Sequence, residues 1–213
     1  KEVMSYAGIP TAAHVVVDNS TEAKQALEKI GAPVAVKADG LAGGKGVVIC
    51  PNIEEAWAAV CAMMVEGKLG EAGRRLILEE LLEGEEVSYL CLTDGETVLP
   101  LEPSQDHKAL WNGDRGPNTG GMGAYSPTPV LKGELFRQVT EEIAFPTIRT
   151  MAELGRPYRG VLYIGLMITS DGPKVLEFNA RFGDPEAQPL LMRMESDLVP
   201  FLEAVVERKL AEE

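Results

Sequence analysis

The sequence is short of cysteine, of cationic residues and of long apolar runs, and each shortage removes a class of protein. Three cysteines, Cys50, Cys61 and Cys91, make an odd set without zinc-ligand spacing. They lie in apolar segments and read as reduced, buried thiols of a cytoplasmic protein, not as a disulfide framework or a metal centre. Lysine and arginine number 20 against 33 acidic residues, a formal net charge of −13. Such a charge repels nucleic acid and anionic membrane, so neither is expected as a partner, and any bound phosphate must be held by local charge. No apolar run is long enough to span a bilayer, and Lys1-Glu2-Val3-Met4 is not a signal peptide. Repeats and low-complexity tracts are also missing. What remains is 213 residues, 45% hydrophobic and 25% charged, enough to bury a core in one large domain or two smaller ones. The opening without an initiator Met and the helical character of Ala211-Glu212-Glu213 lead to the expectation that the chain is a piece of something longer.

The stretch from Ala35 to Ile49 places two lysines, Lys37 and Lys45, around Gly40, Gly43 and Gly44, with Gly46 following. Apolar runs on both sides read as strands, so the unit is a hairpin whose loop offers mainly backbone. Successive glycine amides can turn toward one anion, and two ammonium groups suit a polyphosphate. A P-loop would need Gly at position 39 and Ser or Thr at 46, where Asp39 and Gly46 stand. A dinucleotide fingerprint would open a helix, whereas Val47-Val48-Ile49 continues as strand. Taken alone, the loop is equally compatible with a phosphate-covering flap and with a plain hairpin carrying solvated lysines.

Along the chain the patterns predict a helix over 1–7 stopped by Gly8, a strand at 14–17 including His14, and a helix capped by Ser20 and closed by Gly31. Asn52 with Glu55 resembles a capping box, for a helix that buries Trp57, Val60, Cys61 and Met64. A strand at 76–78 ends in Glu79-Glu80, and a subdomain boundary follows, dividing the chain into 1–81 and 82–213. Asp94-Gly95 reads as a two-residue turn pairing 87–92 with 97–101. Residues 102–129 read as one long polar, glycine-rich loop, and loops of that length are usually functional or disordered. A helix bent by Pro146 follows, then a buried strand at 160–169, the turn Asp171-Gly172, a strand at 174–179, and a last helix capped by Ser196.

In Val175-Leu176-Glu177-Phe178-Asn179 the period of two places Val175, Glu177 and Asn179 on one face. A carboxylate and an amide oxygen about 7 Å apart along a strand suit a hard cation completed by phosphate oxygens and water, magnesium above all. An exposed strand face with two polar residues explains them as well. Arg181 follows, and its guanidinium is suited to a transferring phosphoryl group.

These segments, together with Glu79-Glu80, Gly84-Glu85-Glu86, Ser104-Gln105-Asp106-His107-Lys108, the run from Gly116 to Pro127, and Glu177-Phe178-Asn179-Ala180-Arg181-Phe182-Gly183-Asp184-Pro185-Glu186, closely resemble the phosphoribosylamine-glycine ligases. These are also called glycinamide ribonucleotide synthetases and belong to the ATP-grasp superfamily. The resemblance covers essentially the whole chain. It implies an α+β, ATP-grasp fold of two α+β subdomains with the nucleotide bound between them. It also implies an ATP-dependent carbon-nitrogen ligase of purine biosynthesis, joining glycine to 5-phosphoribosylamine through glycyl phosphate.

By matching positions the resemblance implies that Lys37, Gly43, Gly44, Lys45, Gly46, Glu79, Glu80, Leu82 and Glu86 bind ATP. Glu177 and Asn179 would hold magnesium or manganese, and Arg181 and Lys108 would act on the transferred phosphate. Asp114, Asn118, Thr119, Gly120, Gly121 and Met122 would seat glycine and 5-phosphoribosylamine. Many ATP-grasp enzymes carry another metal carboxylate on the preceding strand, and 160–169 has none. Family members also have flanking N- and C-terminal domains, so this piece is expected to bind ATP and magnesium but to ligate poorly by itself.

Overall fold

A computed structural model describes residues 1–42, 46–113 and 115–212, which divide into two compact units: Ala12–Leu82, and Lys1–Thr11 with Glu83–Glu213. The opening helix α1 (Glu2–Ala7) closes on Gly8 in the left-handed conformation, φ 66°, as its missing Cβ permits. The division expected at 1–81 therefore differs at the N-terminus. Met4 and Ile9 are buried in the core of the second unit, the Val175 amide donates to the Pro10 carbonyl at 2.8 Å, and the Thr11 hydroxyl donates to the Val175 carbonyl at 2.6 Å. Tertiary burial of two apolar side chains, which local sequence does not reveal, assigns this segment.

In the Ala12–Leu82 unit the elements are β1 (His14–Val17), α2 (Ser20–Ile30), β2 (Val34–Ala38), β3 (Val47–Cys50), α3 (Ile53–Val60) and β4 (Leu76–Glu80). The four strands form an antiparallel sheet in the order β1-β4-β2-β3. Val34, Val36, Leu76 and Leu78 face the helices and are wholly buried against Ala23, Leu27, Ala56 and Val60. Alternation then leaves Ala35, Lys37, Ile77 and Glu79 on the opposite face. Helix α2 is capped by Asn19, whose Oδ1 accepts from the Glu22 amide at 2.9 Å, and not by Ser20. Asn52 caps α3 in the same way, accepting from the Glu55 amide at 2.8 Å. Past Val60 the helix widens into a π turn, Cys61–Val65, which buries Met63 and leaves Cys61, Trp57 and Met64 only partly covered.

The other unit contains β5 (Glu85–Thr93), β6 (Val98–Pro100), β7 (Gln105–Trp111), β8 (Arg115–Tyr125), α4 (Gly133–Val139), α5 (Phe145–Glu153), β9 (Gly160–Thr169), β10 (Gly172–Asn179), α6 (Ala187–Arg193) and α7 (Leu198–Glu207). Its antiparallel sheet runs β10-β9-β5-β6. Val87, Tyr89 and Cys91 of β5 and Leu162, Ile164 and Leu166 of β9 pack on Val139, Ile143 and Ile148 from the helices. The opposite face carries Glu86, Ser88, Tyr163 and Gly165. Burial pushes the Cys91 thiol up to about 12, so it stays neutral and behaves as an apolar core group.

Three expectations are corrected here. Thr93 pairs with Val98, so the connection is 94–97 and not a two-residue turn; Asp94 builds it by accepting from the Glu96 and Thr97 amides at 3.1 and 2.8 Å. The long loop at 102–129 is instead largely the two-stranded ribbon β7-β8, held by backbone pairing in a segment with no apolar alternation to announce it. The helix expected to carry Pro146 runs as α4, a π turn at Thr140–Ala144 and α5, with Pro146 in the first turn of α5, where proline is tolerated. Helix α7 is capped by Asp197, accepting from the Val199 amide at 2.9 Å, and not by Ser196. Among the described residues no helix is long and apolar enough to cross a membrane.

Candidate functional site

Strand β10 does not keep its period of two. Val175 pairs with Leu166 and Glu177 with Gly165, so Leu176 is an extra residue in a bulge. Val175 and Phe178 consequently pack toward the core, and the expectation that Val175 shares a face with Glu177 is wrong. Glu177 and Asn179 do lie together on the opposite face: the Asn179 amide nitrogen donates to Glu177 Oε1 at 3.0 Å. That bond uses Asn179 Nδ2 and Glu177 Oε1 and does not engage Asn179 Oδ1 or Glu177 Oε2. Gly165 makes room for Glu177, since a Cβ there would stand 3.3 Å from Glu177 Cγ.

The cation in front of this face is Lys108 on β7. Its ammonium lies 3.4 Å from Glu86 Oε2 and 3.5 Å from Asp106 Oδ2. Burial works against its charge, but Glu86, Asp106 and Glu177 outweigh burial and hold its proton above the usual lysine range. Glu86 is positioned through its backbone, whose carbonyl accepts from Gln105 Nε2 at 3.0 Å; Gln105 Oε1 accepts from the Tyr125 hydroxyl at 2.6 Å and from the Thr128 hydroxyl. A cavity of about 270 Å³ opens here, lined by Gly84, Glu86, Gln105, Asp106, Lys108 and Met167. Gly84 is required at its wall because a Cβ would lie 2.1 Å from the Ile168 carbonyl oxygen. A larger cavity, about 460 Å³, is walled by Pro103, Pro127, Pro129, Leu131 and Phe136 and contains none of the candidate residues.

Arg181 is exposed and donates to the Phe182 carbonyl at 2.9 Å. In the glycine-rich strand β8, the Thr119 hydroxyl donates to the Lys108 carbonyl at 2.9 Å and accepts from the Gly121 amide at 3.1 Å. Gly121 lies against the Asp184-Pro185 bond and has no room for a Cβ, which would stand 2.9 Å from Pro185 Cδ. Met122 is exposed. The backbones of Asn118 and Gly120 belong to β8, and Asp114 lies outside the described residues.

In the Ala12–Leu82 unit, Lys37 Nζ and Glu79 Oε2 form an ion pair at 2.8 Å, with the Glu79 side chain only 2% exposed. Glu80 points the other way, accepting from the Ala13 amide at 2.9 Å, so the two neighbouring glutamates are not brought together. Leu82 is partly covered at the end of the unit. Gly46 accepts from the Ala38 amide at 2.7 Å, and a Cβ on it would stand 2.7 Å from Ala42 Cβ. Gly43, Gly44 and Lys45 lie outside the described residues.

Sequence reasoning assigned no role to Gln105, Asp106, Gly165 or Glu186. Asp106 and Glu186 stand within the segments that carried the family resemblance, which was the available signal. Gly165 gave none, because a glycine inside an apolar strand shows its use only when the neighbouring strand is in place.

Comparison with known proteins bears directly on this arrangement. Residues 1–187 match the family described as phosphoribosylglycinamide synthetase, ATP-grasp (A) domain. The chain belongs to that family. A phosphoribosylamine--glycine ligase of Vibrio vulnificus is 52% identical over 214 residues, covering 99% of this chain and 49% of that protein. One from Pseudomonas aeruginosa is 51% identical over the same length and coverage. The ATP-grasp domain described here thus spans about half the length of these curated relatives. The crystal structure of phosphoribosylamine--glycine ligase from Thermotoga maritima superposes with a TM-score of 0.90 at 32% identity, covering 97% of this chain and 52% of that one. A biotin carboxylase from Campylobacter jejuni, 18% identical with a TM-score of 0.75 over 97% of this chain and 44% of that one, shares the fold.

Proposed function

We propose that the protein carrying this domain joins glycine to 5-phosphoribosylamine with ATP, giving glycinamide ribonucleotide, ADP and phosphate, a step of purine biosynthesis. The observation that carries this reading is the Glu177–Asn179 pair beside Lys108, in a chain half identical to curated phosphoribosylamine--glycine ligases. A carboxylate is a poor acyl donor. In this reading a glycine carboxylate oxygen attacks the γ-phosphorus of ATP, the bond to the β-phosphate oxygen breaks, and ADP leaves glycyl phosphate. The amine of 5-phosphoribosylamine then attacks the acyl carbon and expels phosphate, losing a proton. Positioning and charge neutralisation account for most of the acceleration of such a phosphoryl transfer.

The domain's own residues fit those tasks. Lys37, held on its strand by Glu79, offers a fixed ammonium to phosphate oxygens. Glu86, with its backbone fixed by Gln105, offers a carboxylate for ribose hydroxyls. Lys108 stands ready for the transferring phosphoryl group, and Arg181 is free of the acidic set to approach it. The side-chain oxygens of Glu177 and Asn179 suit magnesium or manganese, and the pair fits a site shared with nucleotide phosphates, because such ions are held by one or two protein oxygens with phosphates and water. Bound there, the ion supplies neutralisation of phosphoryl oxygens. The rest of the protein, beyond this half, is proposed to complete the 5-phosphoribosylamine site.

The test is ADP release by the full-length protein with glycine and 5-phosphoribosylamine, each omitted in turn, against other carboxylate and amine pairs. Release that needs both is expected; faster release with a different pair overturns the substrate assignment. A second expectation concerns Gly165→Val. The added side chain should displace Glu177 and weaken magnesium-dependent ATP binding about tenfold, as second-layer changes at metal sites do, with an unchanged far-ultraviolet dichroism spectrum. An unaltered ATP titration would remove Gly165 from the site.

A further inference from the structure

Glu186 follows the turn that leads out of β10, and it is buried, 2% exposed. It reaches the sheet face of Glu177 and Asn179 through two hydroxyls. Its Oε1 accepts from the Ser88 hydroxyl at 3.1 Å and the Tyr163 hydroxyl at 2.9 Å, and those two hydroxyl oxygens lie 2.8 Å apart. Ser88 and Tyr163 are buried as well, and burial holds the Tyr163 hydroxyl proton above its ordinary range, so the ring stays a donor. The other carboxyl oxygen, Oε2, is buried without a hydrogen-bond partner among the described residues. Gly183 closes against it: a Cβ there would collide with the carboxyl group, and the Gly183 carbonyl accepts from the Ala187 amide at 3.0 Å. Shut off from solvent in this way, Glu186 acts on its protein neighbours and not on a ligand.

The neighbour that matters is the Tyr163 ring. In the strand register Ser88 lies opposite Gly165, Gly165 opposite Glu177, and Tyr163 opposite Asn179. The ring edge comes up beside Gly165: a Cβ on that glycine would stand 3.6 Å from Tyr163 Cε1 and 3.3 Å from Glu177 Cγ. The Tyr163 ring and the Glu177 stem are therefore the two walls of one notch, which the missing side chain leaves open. The far end of the ring, its hydroxyl, is the end that Ser88 and Glu186 hold. A buried oxygen left unmet costs stability, and replacing a whole buried polar set by apolar groups of similar volume is often neutral or stabilising. Packing alone does not call for these three polar groups. A ring fixed in one place does, because buried hydrogen-bond networks specify one arrangement.

We propose that Glu186 is a positioning residue: with Ser88 it pins the Tyr163 hydroxyl, and the pinned ring keeps the Glu177 side chain directed at the nucleotide-bound cation. This rests on the reading of Glu177 as a ligand of magnesium shared with ATP. Glu186 touches neither the cation nor a substrate; it acts on Glu177 through one ring, as the outer partners of metal ligands do.

The experiment is calorimetric titration of the full-length protein with ATP, with and without magnesium, for Glu186→Leu, Glu186→Gln and Tyr163→Phe. Glu186→Leu is also made in a Glu177→Ala background. Glu186→Leu and Tyr163→Phe are each expected to weaken ATP binding in magnesium about tenfold, the scale of losing an outer partner of a metal ligand, with the magnesium-free affinity unchanged. Glu186→Gln keeps an oxygen with two lone pairs for both hydroxyls and should restore the affinity to within about twofold. In the Glu177→Ala background Glu186→Leu should cost nothing further, because the side chain it steers is gone. A merely structural role would weaken binding equally with and without magnesium, and would do so whether or not Glu177 is present. Either of those results, or unchanged affinity in magnesium for Glu186→Leu, overturns the proposal. If Glu186→Leu does not fold, Tyr163→Phe carries the same comparisons. An unaltered protein whose ATP affinity ignores magnesium would instead defeat the reading of Glu177 as a ligand, so the two failures are distinguishable.

Discussion

Replacing Glu177 and Asn179 together with alanine is expected to lower ADP release by the full-length protein about 100-fold, the scale of losing a principal electrostatic stabiliser of the transferring phosphoryl group. The magnesium dependence of ATP affinity should disappear with it. The expectation follows from the bulge at Leu176, which sets both side chains on the sheet face away from the core, 3.0 Å apart at their nearest polar atoms. Glu177 is exposed and Asn179 only partly buried, so the double variant should fold. Calorimetric titration with ATP, with and without magnesium, checks it: retained magnesium-dependent affinity would remove the pair from the site.

Replacing Ile164 with alanine should destabilise the larger unit by about 3 kcal/mol, within the range for deleting a buried isoleucine side chain. Ile164 is fully buried on β9, between β5 and β10, among Tyr89, Ile143, Ile148 and Leu166, and close-packed neighbours cannot collapse fully into the space. The denaturant midpoint should fall while the slope of the transition stays the same. A midpoint within error of the unaltered protein would mean that this core relaxes around the loss. The same β9 holds Tyr163 and Gly165 on its other face, so loss of its core side destabilises the strand that spaces Ser88 from Glu177.

Much of the smaller unit was legible because its signals are local. Apolar runs announced β2, β3 and β4 as strands, and Asn52 with Glu55 announced α3; both depend on neighbours within a few residues. The ribbon at 105–125 was not legible, since its glycines carry no apolar period and its order comes from pairing across strands. The bulge in β10 was hidden for a related reason: one extra residue is invisible until the partner strand fixes the register. Asp197 and Ser196, or Asn19 and Ser20, are adjacent capping residues of similar propensity, so only backbone geometry chooses between them.

Composition and motif by themselves determined the family resemblance, the acidic strand with Glu177 and Asn179, and the exclusion of a P-loop, a dinucleotide fold and a zinc centre. These follow from which residues stand next to one another in the chain. Tertiary structure alone decided that Lys1–Thr11 belongs with the larger unit, that Val175 turns inward, that Glu79 grips Lys37 while Glu80 does not, and that Glu86 and Asp106 share one lysine. Each of these depends on strands far apart in sequence meeting in one register, and on burial, which turns ordinary surface carboxylates into a demand for a cation.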